Sequence, residues 1–281
     1  MAYLGKTNSL VVVRDSDYGF YLDGGELGEI LLPTREVPEG VEQGDEVDVF
    51  ISRDSEDRIV ATVTKPICEV EDFAALEVIS VNPRIGAFLD WKFPKDLLLP
   101  FREQTQKVRV GERVVVHVMI DKKSDRIVAT TKTNRFLDRY KPEYDVGDKV
   151  ILLIQDRSPL GYNVIVDQKF RGLLFEDSLD RQLRIGETLD GYIADLREDG
   201  KLNLSLEPVG YGRVKTLTEK IMATLEAKGG SLNLGDKSSP EDIRAAFGTS
   251  KKAFKQALGS LYRDRVIRLT SQGIELVKKT D

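Results

Sequence analysis

Short runs of alternating apolar and polar residues dominate the first three quarters of the chain, and they recur. Three segments superpose around one glycine: Tyr18-Gly19-Phe20-Tyr21-Leu22, Ile85-Gly86-Ala87-Phe88-Leu89 and Leu160-Gly161-Tyr162-Asn163-Val164. Each leads into a second apolar run, Ile30 to Pro33, Leu97 to Pro100 and Gly172 to Phe175. A Gly-acid turn then opens an alternating strand at Gly44-Asp45, Gly111-Glu112 and Gly186-Glu187, 25 residues after the first glycine in every copy. A charged turn and a last strand close the unit: Asp57-Arg58-Ile59, Asp125-Arg126-Ile127 and Asp199-Gly200-Lys201-Leu202. With the strands upstream of each glycine (Ser9 to Arg14, Leu76 to Val81, Val150 to Gln155), a unit holds five short strands. A sheet that small removes its open edges by closing into a barrel, and the five-stranded barrel is the OB-fold.

After Pro208 the period changes from two to nearly four. Leu217, Ile221 and Leu225 predict an amphipathic helix ended at Gly229-Gly230. Ser239-Pro240-Glu241-Asp242 starts a second helix with a capping serine, a first-turn proline and acids at the positive end, and Gly248 stops it. Thr249-Ser250 opens a third helix bearing Phe254, Leu258 and Leu261. Val266 to Leu269 and Gly273 to Val277 form a hairpin around Thr270-Ser271-Gln272. The fold class is therefore mainly β with a small α+β end: three tandem five-stranded OB barrels and a C-terminal winged helix-turn-helix. The expected domains are residues 1–66, 67–140, 141–208 and 209–281.

Composition narrows the function by exclusion. Forty-two basic against 47 acidic residues give a net charge of −5, which argues against gripping duplex by counterion release alone. The charge is uneven: acids crowd the first repeat, while Lys251, Lys252, Lys255, Arg263, Arg265, Arg268, Lys278 and Lys279 make the end basic. One cysteine, Cys68, precludes an intrachain disulfide and fits a reducing compartment, so the expected location is the cytoplasm. No apolar run reaches membrane-spanning length, and no membrane partner is expected. One histidine, His117, and one cysteine cannot build a Cys/His zinc site, and no catalytic triad, phosphate loop or paired carboxylates can be assigned. The reading is a non-enzyme with no catalytic residues, no metal and no cofactor, with His117 in a surface or satisfied structural role.

OB-folds hold oligonucleotides on strands two and three, where unstacked bases meet aromatic rings and nearby cations follow the phosphates. The candidates are Tyr18, Phe20 and Tyr21 in the first repeat, and Phe88, Trp91, Lys92 and Phe93 in the second. The third offers Tyr162, Lys169, Phe170, Arg171 and Phe175. Alternation forbids Phe20 and Tyr21 from both facing outward, so about half of these rings are core. Trp91-Lys92-Phe93 falls in a loop-like stretch before Pro94 and is the favoured stacking site. In the winged helix, Lys251, Lys252, Lys255, Gln256, Arg263 and Arg268 line the polar side of the third helix and the wing, placed for phosphate contact or as a solvated or protein-binding face.

Apolar-Gly-aromatic, a Gly-Leu-Leu-like strand and Gly-acid-x-Val-x-Val together resemble the S1 RNA-binding module. Gly86 to Trp91 with Pro94 to Pro100, and Gly191-Tyr192-Ile193 with Arg197 to Pro208, are similar to the conserved virulence factor B (YitL) family, whose members join S1-like modules to a winged helix. The resemblance implies single-stranded RNA as the main partner and a regulatory context. It leaves open DNA at the winged helix, or a protein scaffold. The histidine that often ends strand three of an S1 module is replaced by Pro33, Pro100 and Phe175, and the third repeat has Asn163 in place of the strand-two aromatic. The modules are thus expected to bind unequally, with the acidic first repeat weakest and contact concentrated on the second and third.

Overall fold

The computed structural model describes residues 1–138, 140, 142–197, 199–209, 211–270 and 273–277, with backbone only for 211–216. Arg139, Glu198, Ser271, Gln272, Lys278 and Lys279, each part of a sequence motif or charge cluster, lie outside the described residues.

Three closed barrels follow one another. The first contains β1 (Thr7–Arg14), β2 (Gly19–Asp23), β3 (Glu29–Pro33), β4 (Glu46–Arg53) and β5 (Ile59–Thr62), in the order β1-β2-β3-β5-β4. The second repeats it with β6 (Phe73–Asn82), β7 (Gly86–Asp90), β8 (Leu97–Pro100), β9 (Arg113–Asp121) and β10 (Arg126–Thr130). The third uses β11 (Lys149–Ser158), β12 (Gly161–Val166), β13 (Phe170–Phe175), β14 (Thr188–Leu196) and β15 (Leu202–Ser205). In each, the third and fifth strands pair in parallel, whereas the first and second strands, and the fourth and fifth, pair antiparallel.

The invariant spacing has a geometric origin. The first strand of every barrel carries a bulge, between Val12 and Arg14, Val78 and Ser80, and Ile154 and Asp156. The amides of Gly44, Gly111 and Gly186 donate to the carbonyls of Val12, Val78 and Ile154 at 2.9, 2.8 and 2.7 Å. The following acids return the bond through their carbonyls, so each Gly-acid turn clamps the residue just before the bulge and pairs both of its backbone groups. The strand-two glycine is needed for a different reason. Gly19 and Gly86 have φ of +131° and +147°, and a Cβ there would stand 2.1 and 2.2 Å from the carbonyl oxygens of Leu32 and Leu99.

By packing, the chain divides into one unit of Met1–Arg139, Leu152–Arg171 and Asp180–Leu189, and another of Tyr140–Ile151, Gly172–Leu179 and Asp190–Asp281. The division runs through the third barrel. In the first unit Phe73, Val115 and Leu137 of the second repeat form an apolar cluster with Leu153 and Ile165 of β11 and β12. The joint between the first two barrels is equally dry: Phe50, pointing out of β4, is fully buried among Trp91, Phe93 and the second barrel's core.

In the second unit α1 (Tyr211–Ala227), α2 (Pro240–Phe247) and α3 (Lys251–Arg263) enclose Ile221, Leu225, Ile243, Phe254 and Leu258. Ser239 Oγ accepts from the Asp242 amide and Ser250 Oγ from that of Ala253, and Gly248 ends α2 in the left-handed conformation. The wing is β17 (Ile267–Leu269) and β18 (Ile274–Leu276). A short strand missed by periodicity, β16 (Ser231–Leu232), pairs with β18.

Candidate nucleic-acid interface

Register decides what each barrel shows on the face of its second, third and fifth strands. In the first barrel Arg14, Tyr21, Leu31 and Val60 stand side by side, and the Arg14 guanidinium lies 3.5 Å from the centre of the Tyr21 ring. In the second the row is Ser80, Phe88, Leu98 and Val128. The third is polar by comparison: Asp156 stands opposite Asn163, which donates to it, and Leu173 opposite Asn203. The rows are apolar and ring-bearing in barrels one and two only.

Beside the second row runs a groove of about 470 Å³ at the joint of barrels one and two. Ile85, Phe88 and Leu98 form one wall, Phe93, Pro94 and Lys95 another, and Ser52 and Arg53 enter from the first barrel. Phe93 packs edge-on against Phe50 and Trp91, with centroids 5.2 and 5.3 Å away, which fixes the loop that carries it. Arg126 completes the rim.

Several expected site residues change role. Trp91, the favoured stacking ring, is buried rather than exposed: it is 4% exposed, sits in the second barrel's core at the floor of the groove lining and donates from Nε1 to the Lys95 carbonyl at 2.7 Å. The loop is irregular, but its hydrogen bond turns the indole inward. Tyr162 is buried with its hydroxyl accepting from the Leu183 amide, and Phe170 is buried beneath Lys169. Phe20 packs against the first barrel's core. Tyr18 is 74% exposed, Tyr21, Phe88, Phe93 and Phe175 are half-buried, and Arg171 Nη2 donates to Asn163 Oδ1 at 3.5 Å. Lys92 is exposed and paired with Asp90, and Lys169 faces Asp138. Of the third barrel's three candidate rings, Tyr162 and Phe170 are thus buried and Phe175 alone is half-buried. On the winged helix, Lys252, Lys255, Gln256 and Arg263 are exposed and Lys251 is half-buried, while Arg268 is held by Glu275.

His117 also departs from expectation. It is buried, its ring lies between Phe73 and Phe136 at 4.6 and 3.9 Å, and Nδ1 has no hydrogen-bond partner among the described residues. Burial pushes its pKa down to about 4. β9 is covered on both faces, by its own barrel and by the next hairpin, so alternation could not expose it.

Arg53 and Arg126 were not singled out by the sequence. The signal was the Asp57-Arg58 and Asp125-Arg126 repeat, which looked like turn chemistry alone.

Residues 4–64 match the S1 domain family, and residues 219–276 match the family described as the CvfB-like winged helix domain. A Bacillus subtilis relative, uncharacterized protein YitL, is 30% identical over 92% of this chain and 89% of its own length. The chain belongs to the conserved virulence factor B (YitL) family. A conserved virulence factor B of Staphylococcus haemolyticus is 26% identical across 98% of this chain and 95% of its own. A solved structure from Streptococcus pneumoniae, described as a multidomain protein with nucleic acid binding domains, is 25% identical over 98% of both chains, with a TM-score of 0.42. The S1 and winged-helix domains of this conserved virulence factor B family member are nucleic-acid-binding types. Among the described residues no helix is long and apolar enough to cross a membrane.

Proposed function

We propose that the protein binds single-stranded RNA without chemistry of its own and regulates gene expression or RNA fate in the cytoplasm. The observation that carries this reading is the groove at the joint of the first two barrels. Phe88 and Phe93 offer ring surface there, and Lys95, Arg53 and Arg126 offer positive charge. Bases that stack gain roughly 1–3 kcal/mol each, and they do so whatever their identity. Modest affinity per module is then raised by linkage to the other modules.

The test is fluorescence anisotropy with matched single-stranded RNA, single-stranded DNA and duplex DNA at two salt concentrations. RNA should bind best and weaken as salt rises. Phe88→Ala should cost about tenfold in RNA affinity with the fold intact. Absence of binding to all three at micromolar concentration would discard the reading and leave a protein scaffold. A second reading, duplex DNA at the winged helix, is favoured by the exposed Lys252, Lys255, Gln256 and Arg263 on and at the end of α3.

A further inference from the structure

The two arginines at the groove are not free. Arg126, at the start of β10, gives Nε and Nη2 to the two carboxylate oxygens of Asp57 at 3.0 and 2.5 Å. Arg53, at the end of β4, gives Nε to the Asp125 carbonyl and Nη2 to its carboxylate at 3.0 and 2.9 Å. Asp57 and Asp125 occupy equivalent turns of the first two repeats, so each barrel places a turn carboxylate on an arginine of the other. Both aspartates are left-handed, with φ of +63° and +57°, and the equivalent residue of the third repeat is Gly200 at +77°. Glycine adopts that conformation without steric cost. The side chain kept at the two strained turns is the one that crosses the joint.

Asp57 stands at a focus of positive charge. The hydrogen bond from Arg126 holds its carboxyl below the usual range, and Lys95 and Arg53 act in the same direction. All three cations line the groove. A bidentate guanidinium–carboxylate pair has the geometry of a guanidinium–phosphate pair. Resting on the RNA reading above, we propose that Asp57 occupies the seat of an RNA phosphate in the free protein. RNA binding exchanges that carboxylate for a backbone phosphate on Arg126. The groove is thereby self-screened: its two arginines are neutralised until a polyanion competes, and the cost of the exchange keeps short or weakly held strands out.

The experiment compares the wild-type chain, D57N, E39Q, F88A and the double variant D57N/R126Q. The probe is an unstructured, fluorescein-labelled single-stranded RNA of about 16 nucleotides, enough to span one barrel. Asparagine tolerates the left-handed turn, and Trp91 fluorescence checks that the joint is intact. D57N should bind about fivefold more tightly than wild type. Its log K should fall more steeply with log salt, by about 0.7, because one more phosphate meets an unneutralised cation. R126Q should abolish the gain. E39Q removes an exposed charge from the same barrel and should leave affinity near wild type. A D57N affinity at or below wild type, or an equal gain in E39Q, overturns the proposal. Loss of binding in F88A with D57N unchanged overturns the phosphate seat alone. No binding by any variant overturns the RNA reading itself.

Discussion

His117 should make the stability of the second barrel depend on pH in a window where most surface groups are silent. Its imidazole is buried between two phenyl rings, and burial lowers its pKa from an ordinary 6.5 to about 4. Between those values the unfolded chain binds a proton that the folded chain refuses. The unfolded state then carries more protons, so stability rises with pH across the window and is lost as pH falls through it. The full difference corresponds to about 3 kcal/mol, and at pH near 5 it has reached about 2 kcal/mol. The variant that isolates the effect is His117→Phe, since Phe50 holds the equivalent position of the first repeat, six residues after the turn glycine. Carboxylates titrate alike in both proteins and cancel in the comparison. Urea unfolding followed by Trp91 fluorescence at pH about 7.5 and about 5 should show wild type losing about 2 kcal/mol more than H117F. Parallel losses would mean that the folded chain accepts the proton freely, and the buried sandwich would be the wrong description of His117.

Trp91→Ala should destabilise the chain by about 3–5 kcal/mol, because it empties a core site and frees the loop that Nε1 holds. Urea unfolding by circular dichroism checks this; a loss under about 1 kcal/mol with weakened RNA binding would return the indole to the stacking surface. Changing Lys252 and Lys255 together to Ala should weaken duplex DNA binding about tenfold if α3 meets phosphates, and leave unfolding unchanged. An equal affinity for duplex in the double variant and wild type would remove α3 from the interface. The D57N and F88A titrations complete the set.

Patterning revealed the barrels because each unit writes the same mechanical requirement into the same place. The glycine before β4, β9 and β14 bonds the residue beside a bulge, and in the first two barrels the strand-two glycine must let a carbonyl pass, which ties the spacing to the geometry. The caps of α2 and α3 were equally readable, since Ser239, Pro240, Ser250 and Gly248 act on neighbours in the sequence. Alternation could not reveal which side of a strand meets another module. It assigns two faces, one wet and one dry, and fails where both are dry. β4 buries Val49, Phe50 and Ile51 in succession, and β9 buries Val114 through Val118. For the same reason Trp91 looked available: a ring in a loop is exposed only if nothing docks on the loop, and Phe50 of the neighbouring barrel does.

These failures share one position. The residue six after the turn glycine is Phe50, His117 and Tyr192 in the three repeats. In the first two it is an outward-facing ring on the fourth strand, buried where its barrel meets the succeeding segment of chain. Phe50 packs against Trp91 and Phe93, and His117 lies within ring distance of Phe73 and Phe136. A strand that closes its own barrel with one face and seats the next module with the other couples the two folds in a single element. The groove then inherits its geometry from that coupling, because Phe93 is held by Phe50 and the rim arginines reach across the same joint. An isolated second barrel would lack Arg53, Asp57 and the support beneath Phe93. The proposed interface therefore belongs to the pair of barrels, and a repeat counted as three like units carries its candidate site at a junction that neither unit contains alone.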